Sequence, residues 1–124
     1  MFGFLKHYLP EDFFKGACDI HCHLLPGVDD GFKTAEKSIQ ALKKLEERGV
    51  TKMILTPHFM NDYPKNNRES IKAGFEAFYD EAERNCQIEL RLAGEYMLDG
   101  GFMERFEQGF LTLDKAGTHV LCES

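Results

Sequence analysis

The chain has 124 residues, 15 of them basic and 21 acidic, for a formal charge of −6. At roughly 100 to 200 residues per domain this is one domain, and its charge disfavours nucleic-acid or anionic-bilayer binding by bulk electrostatics. A hydrophobic share of 43%, with 11 Phe and 4 Tyr, excludes global disorder.

No run reaches the roughly 18 apolar residues that a membrane span requires. The opening MFGFLKHYLPEDFF is interrupted by Lys6, His7, Pro10, Glu11 and Asp12 before any signal-peptide core forms, so a cytoplasmic location is expected. Four cysteines, Cys18, Cys22, Cys86 and Cys122, sit inside apolar patterns instead of punctuating loops and are expected to be reduced, buried thiols.

After a Phe-rich leader, residues 17–24 (ACDIHCHL) form a short apolar run closed by Pro26 and Gly27, the signature of a buried strand. Thr34 is placed to N-cap a helix with Glu36 in its first turn, and Ala35, Ile39, Leu42 and Leu45 recur at helical spacing until Gly49. Residues 50–56 (VTKMILT) predict a second strand ending at Pro57. A polar loop then leads to Asn66, which with Glu69 resembles a capping box for a helix carrying Ile71, Phe75, Phe78 and Ala82 on one face. Residues 87–93 predict a third strand. A helix over 102–108 follows, with Phe102, Phe106 and Phe110 four apart and a stop at Gly109, and residues 118–122 predict a fourth strand. The order βαβαβαβ implies a parallel sheet, because parallel neighbours need a crossover and a helix is the usual one.

Five potential metal ligands fall at the C-terminal ends of these strands: His21 and His23, His58, Glu95 and Glu123. From His21 to His58 and from His58 to Glu95 the spacing is 37 residues, and from Glu95 to Glu123 it is 28, so each crossover returns one group to the same rim. Alternation along a strand puts His21 and His23 on one face and Ile20 and Cys22 on the other, under helices; Thr56 joins His58, Ala93 joins Glu95, and Leu121 joins Glu123, while Leu55, Leu92 and Cys122 face the helix layer. The carboxyl rim is where active sites of parallel α/β folds lie.

Each residue alone has a plainer explanation. A lone strand histidine is more often structural, Asp29 or Asp30 could merely brace the DDG turn, and Glu95 could be a surface charge. Gathered on one rim, imidazoles and carboxylates together suit Mn, Fe or Zn. Cysteine chemistry is disfavoured: a cysteine phosphatase needs an Arg about six positions after its thiolate, and Leu24, Val28 and Leu92 stand there after Cys18, Cys22 and Cys86. No CxxC, GxGxxG or P-loop pattern occurs.

The run DIHCHLLPGVDDG resembles the first motif of the PHP (polymerase and histidinol phosphatase) family, in particular its bacterial branch of metal-dependent protein-tyrosine phosphatases tied to capsule or exopolysaccharide machinery. TPH at 56–58, AGEYM at 93–97 and VLCES at 120–124 resemble that branch's next three strand-end motifs, in order. The resemblance covers residue 17 onward. It implies that residues 1–16 are an N-terminal extension and that 17–124 are the N-terminal half, about four βα units, of a distorted TIM-like (β/α)7 barrel.

By matching motif, the resemblance implies metal ligands at His21, His23, Asp30, His58, Glu95 and Glu123, with Asp30 and His58 also taking catalytic roles. It implies up to three divalent ions in the complete site, most often Mn, with Fe or Zn as options. The implied reaction is hydrolysis of phosphotyrosine on the tail of a bacterial capsule-type tyrosine kinase. The family's further His, nearby Arg and late DxH lie beyond Ser124, and Phe59 and Met60 stand where some relatives carry arginines. A weakly active or inactive truncated chain is therefore expected. The alternatives are another PHP phosphoesterase of the histidinol-phosphatase type and a catalytically silent metal-binding fragment. Unpaired strand edges and the many Phe residues predict a homo-oligomer, most simply a two-fold dimer.

Overall fold

The computed structural model of the chain describes residues 13–124, so the expected extension over 1–16 falls mostly outside the described residues. The fold is α/β with parallel strands. Its elements are β1 (Cys18–Cys22), α1 (Ala35–Glu47), β2 (Lys52–Leu55), β3 (His58–Phe59), α2 (Arg68–Glu83), β4 (Glu89–Leu92), β5 (Glu95–Met97), α3 (Phe102–Gln108) and β6 (Leu121–Glu123). Among the described residues all strand pairs are parallel, and the strands form two three-stranded sheets with the orders β1-β2-β4 and β3-β5-β6.

The expected second and third strands form as β2 and β4, and beyond a break each is followed by a further short strand, β3 or β5, that the sequence did not signal. Pro57 has no N–H to donate, and the Gly94 N–H turns aside to the Leu111 carbonyl at 3.0 Å. Pairing nevertheless runs across the break. Ala93 donates to Leu55 at 2.9 Å and Glu95 to Pro57 at 3.0 Å, which keeps the rim residues in step with the strands below them. Gly94 is required for space: a Cβ there would lie 2.7 Å from the Tyr96 ring and 2.8 Å from the Phe59 ring, which stack at 4.6 Å.

Helix α1 begins as expected. Thr34 accepts from the Lys37 amide at 3.3 Å, and the chain leaves the helix through Gly49 at φ +96°. Its buried Ser38 hydroxyl donates to the Leu24 carbonyl at 2.7 Å and so ties the helix to the end of β1. The cap of α2 is shifted by one residue. Asn67, not Asn66, forms the capping box, its side chain accepting from the Ser70 amide at 2.8 Å while its own amide donates to Ser70 Oγ at 3.0 Å. Asn66 is committed elsewhere, its Nδ2 donating to the Val28 and His58 carbonyls.

The core is formed by Leu24, Leu25, Ile39, Leu42, Met53, Leu55, Ile71, Phe78 and Tyr96, among others, so the expected faces of α1 and α2 are the buried ones. Other expectations are corrected. The register of β1 against β2 slips between Asp19 and Cys22, an extra residue that breaks alternation at this bulge, and Ile20 swings out to 56% exposure instead of lying under a helix. Cys18 and Cys122 are exposed, because they lie on β1 and β6, the outer strands of this arrangement; all four cysteines are free. Phe106 is exposed on α3, and only Phe102 and Phe110 of its triplet pack on the core. The last strand starts at Leu121 and not at Thr118, since Asp114 Oδ1 captures the amides of Thr118 and His119 at 2.9 and 2.8 Å before they can join a ladder.

A candidate metal centre at the strand ends

The Asp19 carboxylate accepts from the His21 amide at 3.0 Å inside the β1 bulge, and beyond it His21 and His23 both reach one partner, Glu95. His21 Nε2 lies 3.0 Å from Glu95 Oε2, and His23 Nε2 lies 3.1 Å from Glu95 Oε1. The register pairs His58 directly with Glu95 and sets Glu95 beside Leu121, with Glu123 one same-face step further on. His58 Nδ1 accordingly lies 3.3 Å from Glu95 Oε1 and 2.8 Å from Glu123 Oε1, while its Nε2 lies 3.3 Å from Asp30 Oδ1. Glu95, whose side chain is only 7% exposed, is the hub of three imidazoles.

The turn after β1 supplies a second layer. The fully buried Asp29 carboxylate meets His23 Nδ1 at 3.0 Å and accepts from the amides of Gly31 at 2.9 Å and His58 at 3.0 Å. Burial pushes the Asp29 carboxyl up, but His23 and the two amides together hold it below its ordinary value. The Asp29 hydrogen bond raises His23 above its ordinary value against the opposing effect of burial. Gly31 packs so closely that a Cβ would sit 2.1 Å from the His23 carbonyl oxygen. Of the two turn aspartates, Asp29 is thus the brace and the exposed Asp30 is the one that reaches His58 Nε2. Asp29 was legible only as one of two options in a DDG turn.

The six residues singled out in the sequence come together, and with Asp29 they fall into three overlapping groups, in each of which the ligand atoms lie within 4.8 Å of one another. One is His23, Asp29, Asp30 and His58; the second is His21, His23 and Glu95; the third is His58, Glu95 and Glu123. Each pair of groups shares one residue: His23, His58 or Glu95. Four carboxylates this close repel one another unless positive charge lies among them. His58 Nδ1 and Glu123 Oε1 are moreover buried without a hydrogen bond despite their 2.8 Å separation, which is how two lone-pair donors sit when both face a cation. The donor set, imidazole nitrogen with carboxylate oxygen, fits a transition-metal dication.

One neighbour, Tyr63, carried no sequence signal. Tyr63 stacks on His58 at 5.8 Å and 11°, and His23 stacks on the same imidazole at 4.4 Å and 24°. Phe59, the residue after His58, is buried in the core against Tyr96.

The profile of a family described as capsular polysaccharide synthesis, CpsB/CapC, matches residues 17–124. The chain belongs to the CpsB/CapC family. Among its relatives, tyrosine-protein phosphatase YwqE of Bacillus subtilis is 37% identical over 54 residues, 44% of this chain and 21% of that protein. CapC of Staphylococcus aureus is 39% identical over the same length. Tyrosine-protein phosphatase CpsB of Streptococcus agalactiae is 27% identical over 90 residues, 72% of this chain and 37% of that protein. This CpsB/CapC chain therefore spans between about a fifth and somewhat over a third of the relatives it matches. No helix among the described residues is long and apolar enough to cross a membrane.

Proposed function

We propose that residues 17–124 form the first part of a PHP-type barrel and carry most of the metal centre of a phosphoesterase that hydrolyses phosphotyrosine, on the tail of a capsule-type tyrosine kinase in the cytoplasm. The observation that carries this reading is the ring of three ligand groups joined through His23, His58 and Glu95. Such sharing suits adjacent cations, Mn by preference and Fe or Zn as alternatives, up to three in a complete site.

When bound, divalent ions supply Lewis acidity to phosphate oxygens and a lowered pKa to a coordinated water. The chain's own residues do the rest. His21, His23, Asp30, His58, Glu95 and Glu123 hold the charge in place. Asp29 fixes the orientation of the His23 ring and the backbone of His58, as outer partners of metal ligands do. Asp30 and His58, facing each other at the open side of the site, are the pair assigned to contact with the reacting phosphate.

The alternative is a metal-binding segment with little turnover of its own. Elemental analysis together with hydrolysis assays on a phosphotyrosine peptide and on histidinol phosphate tests both. Two to three metals per chain with phosphotyrosine turnover supports the enzyme; metal without turnover supports the segment; preference for histidinol phosphate redirects the substrate class; no metal overturns the centre.

A further inference from the structure

His58 belongs to two of the three ligand groups, and it serves both only if its ring is held at one angle. Nε2 faces Asp30 while Nδ1 faces Glu95 and Glu123. A half turn of the imidazole about its Cβ–Cγ bond would put Cδ2 and Cε1 where Nδ1 and Nε2 stand and turn both nitrogens away from these carboxylates, and for an exposed side chain such flips are fast. The ring is instead stacked against both His23 and Tyr63, nearly parallel to the latter.

The backbone of His58 is fixed as well. Its N–H donates to Asp29 at 3.0 Å, and its carbonyl accepts from Asn66 Nδ2 at 2.8 Å. The same Asn66 amide group donates to the Val28 carbonyl at 3.0 Å, so one side chain joins the loop after β3 to the turn that carries Asp29 and Asp30. Tyr63 and Asn66 are themselves set by successive turns, the Tyr63 amide donating to Met60 and the Asn66 amide to Tyr63, each at 3.0 Å, directly before the α2 cap. Neither residue is among the ligand groups.

We propose that Tyr63 and Asn66 are positioning residues that clamp His58, Tyr63 through its ring face and Asn66 through the His58 carbonyl, so that the two imidazole nitrogens serve two ligand groups at once. This rests on the metal-centre reading for its consequence but not for its geometry. The stack predicts that the aromatic ring of Tyr63 is what holds the His58 ring, while its hydroxyl bonds to the Asp30 backbone. Asn66 is needed for its two donated hydrogen bonds.

The test compares the wild-type chain with Tyr63→Phe, Tyr63→Leu and Asn66→Leu in two measurements. In metal-free protein, nitrogen-15 NMR of the histidine rings reads the orientation and exchange of His58. Calorimetric titration with Mn alone reads affinity. Tyr63→Phe is expected to retain one sharp set of His58 ring signals and an affinity within about twofold, whereas Tyr63→Leu and Asn66→Leu are expected to broaden those signals and weaken Mn binding about 10- to 100-fold. Unchanged ring signals in Tyr63→Leu, or equal damage from Phe and Leu, would overturn the clamp. Should Tyr63→Leu lose its far-ultraviolet dichroism, Asn66→Leu decides the question, and wild-type ring signals there overturn the proposal. A wild-type chain that takes up no Mn would instead sink the metal-centre reading, while the metal-free ring signals still decide the clamp.

Discussion

Asp29 and His58 are joined through the backbone: the buried Asp29 carboxylate accepts from the His58 amide at 3.0 Å, across 29 residues of sequence, while the same oxygen meets His23. One carboxylate therefore sets both the ring of one candidate ligand and the main chain of another. Asp29→Asn keeps the shape but turns an NH2 group toward donors. It is expected to weaken Mn binding about 10- to 100-fold and to lower stability by about 1 to 3 kcal/mol, measured by calorimetric titration and thermal unfolding.

Asp29 and His23 together predict the pH dependence of the metal-free chain. Asp29 lies below its ordinary 3.8, so its contribution is present above that pH and is lost as the pH falls through its folded value. His23 lies above its ordinary 6.5, so its contribution is full below 6.5 and is lost as the pH rises through its folded value. Metal-free protein should accordingly be most stable between those two limits. A melting temperature that climbs steadily from pH 6.5 to pH 8.5 would contradict this.

Replacing His21 and His23 together by Ala should abolish tight metal binding and leave the chain folded, since both rings lie at the rim and neither belongs to the apolar core. Elemental analysis and far-ultraviolet dichroism of the double variant check the two halves of this expectation.

Two glycines should respond in opposite directions. Gly31→Ala drives a methyl group into the His23 carbonyl and is expected to cost about 1 to 3 kcal/mol and to reduce metal affinity. Gly74→Ala lies inside α2 with nothing within 4 Å of the new methyl, and should stabilise by about 0.5 to 1 kcal/mol. Denaturant midpoints of both variants provide the comparison.

Thiol reactivity should separate along the same lines as burial. Burial, aided by Asp19, pushes the half-buried Cys22 thiol up to about 12, and burial also raises Cys86, whereas Cys18 and Cys122 are exposed. Mass spectrometry after brief iodoacetamide treatment should find Cys18 and Cys122 modified first. Any phosphatase activity should survive that treatment and be removed by chelation.

Self-association is expected from two features. A cleft of about 630 Å³ opens between β1 and α1, with Phe32, Leu45 and Met53 in its wall, and Leu98, Met103 and Phe106 stand exposed around α3. Light scattering should report a species larger than the 14.2 kDa monomer, and Phe106→Ser should shift it toward the monomer. A stable, well-folded wild-type monomer would defeat this expectation.

Local physics made much of the fold legible in the sequence. Thr34 at the start of α1, Gly109 at the end of α3 and the apolar faces of α1 and α2 follow from short-range rules of capping and periodicity, because each involves groups only a few residues apart. The rim residues were legible for a related reason: strand and helix have fixed lengths, so a ligand recurring about once per βα unit lands on one edge whatever the packing details.

What the sequence could not decide were choices between near-equal local options, settled by contacts far apart in the chain. Asn66 and Asn67 both precede a residue able to complete a cap, and Asn67 takes the role because Asn66 is drawn to Val28 and His58. Asp29 and Asp30 are adjacent and chemically alike, and only the position of His23 and the His58 amide makes one a brace and leaves the other facing the site. The bulge that turns Ile20 outward and the stack of Tyr63 on His58 are likewise products of register and of a loop crossing over the rim. The sequence by itself determined which chemical groups reach the rim, because that depends on element length; the tertiary structure alone decided which of them touch, because that depends on register and packing to within an ångström.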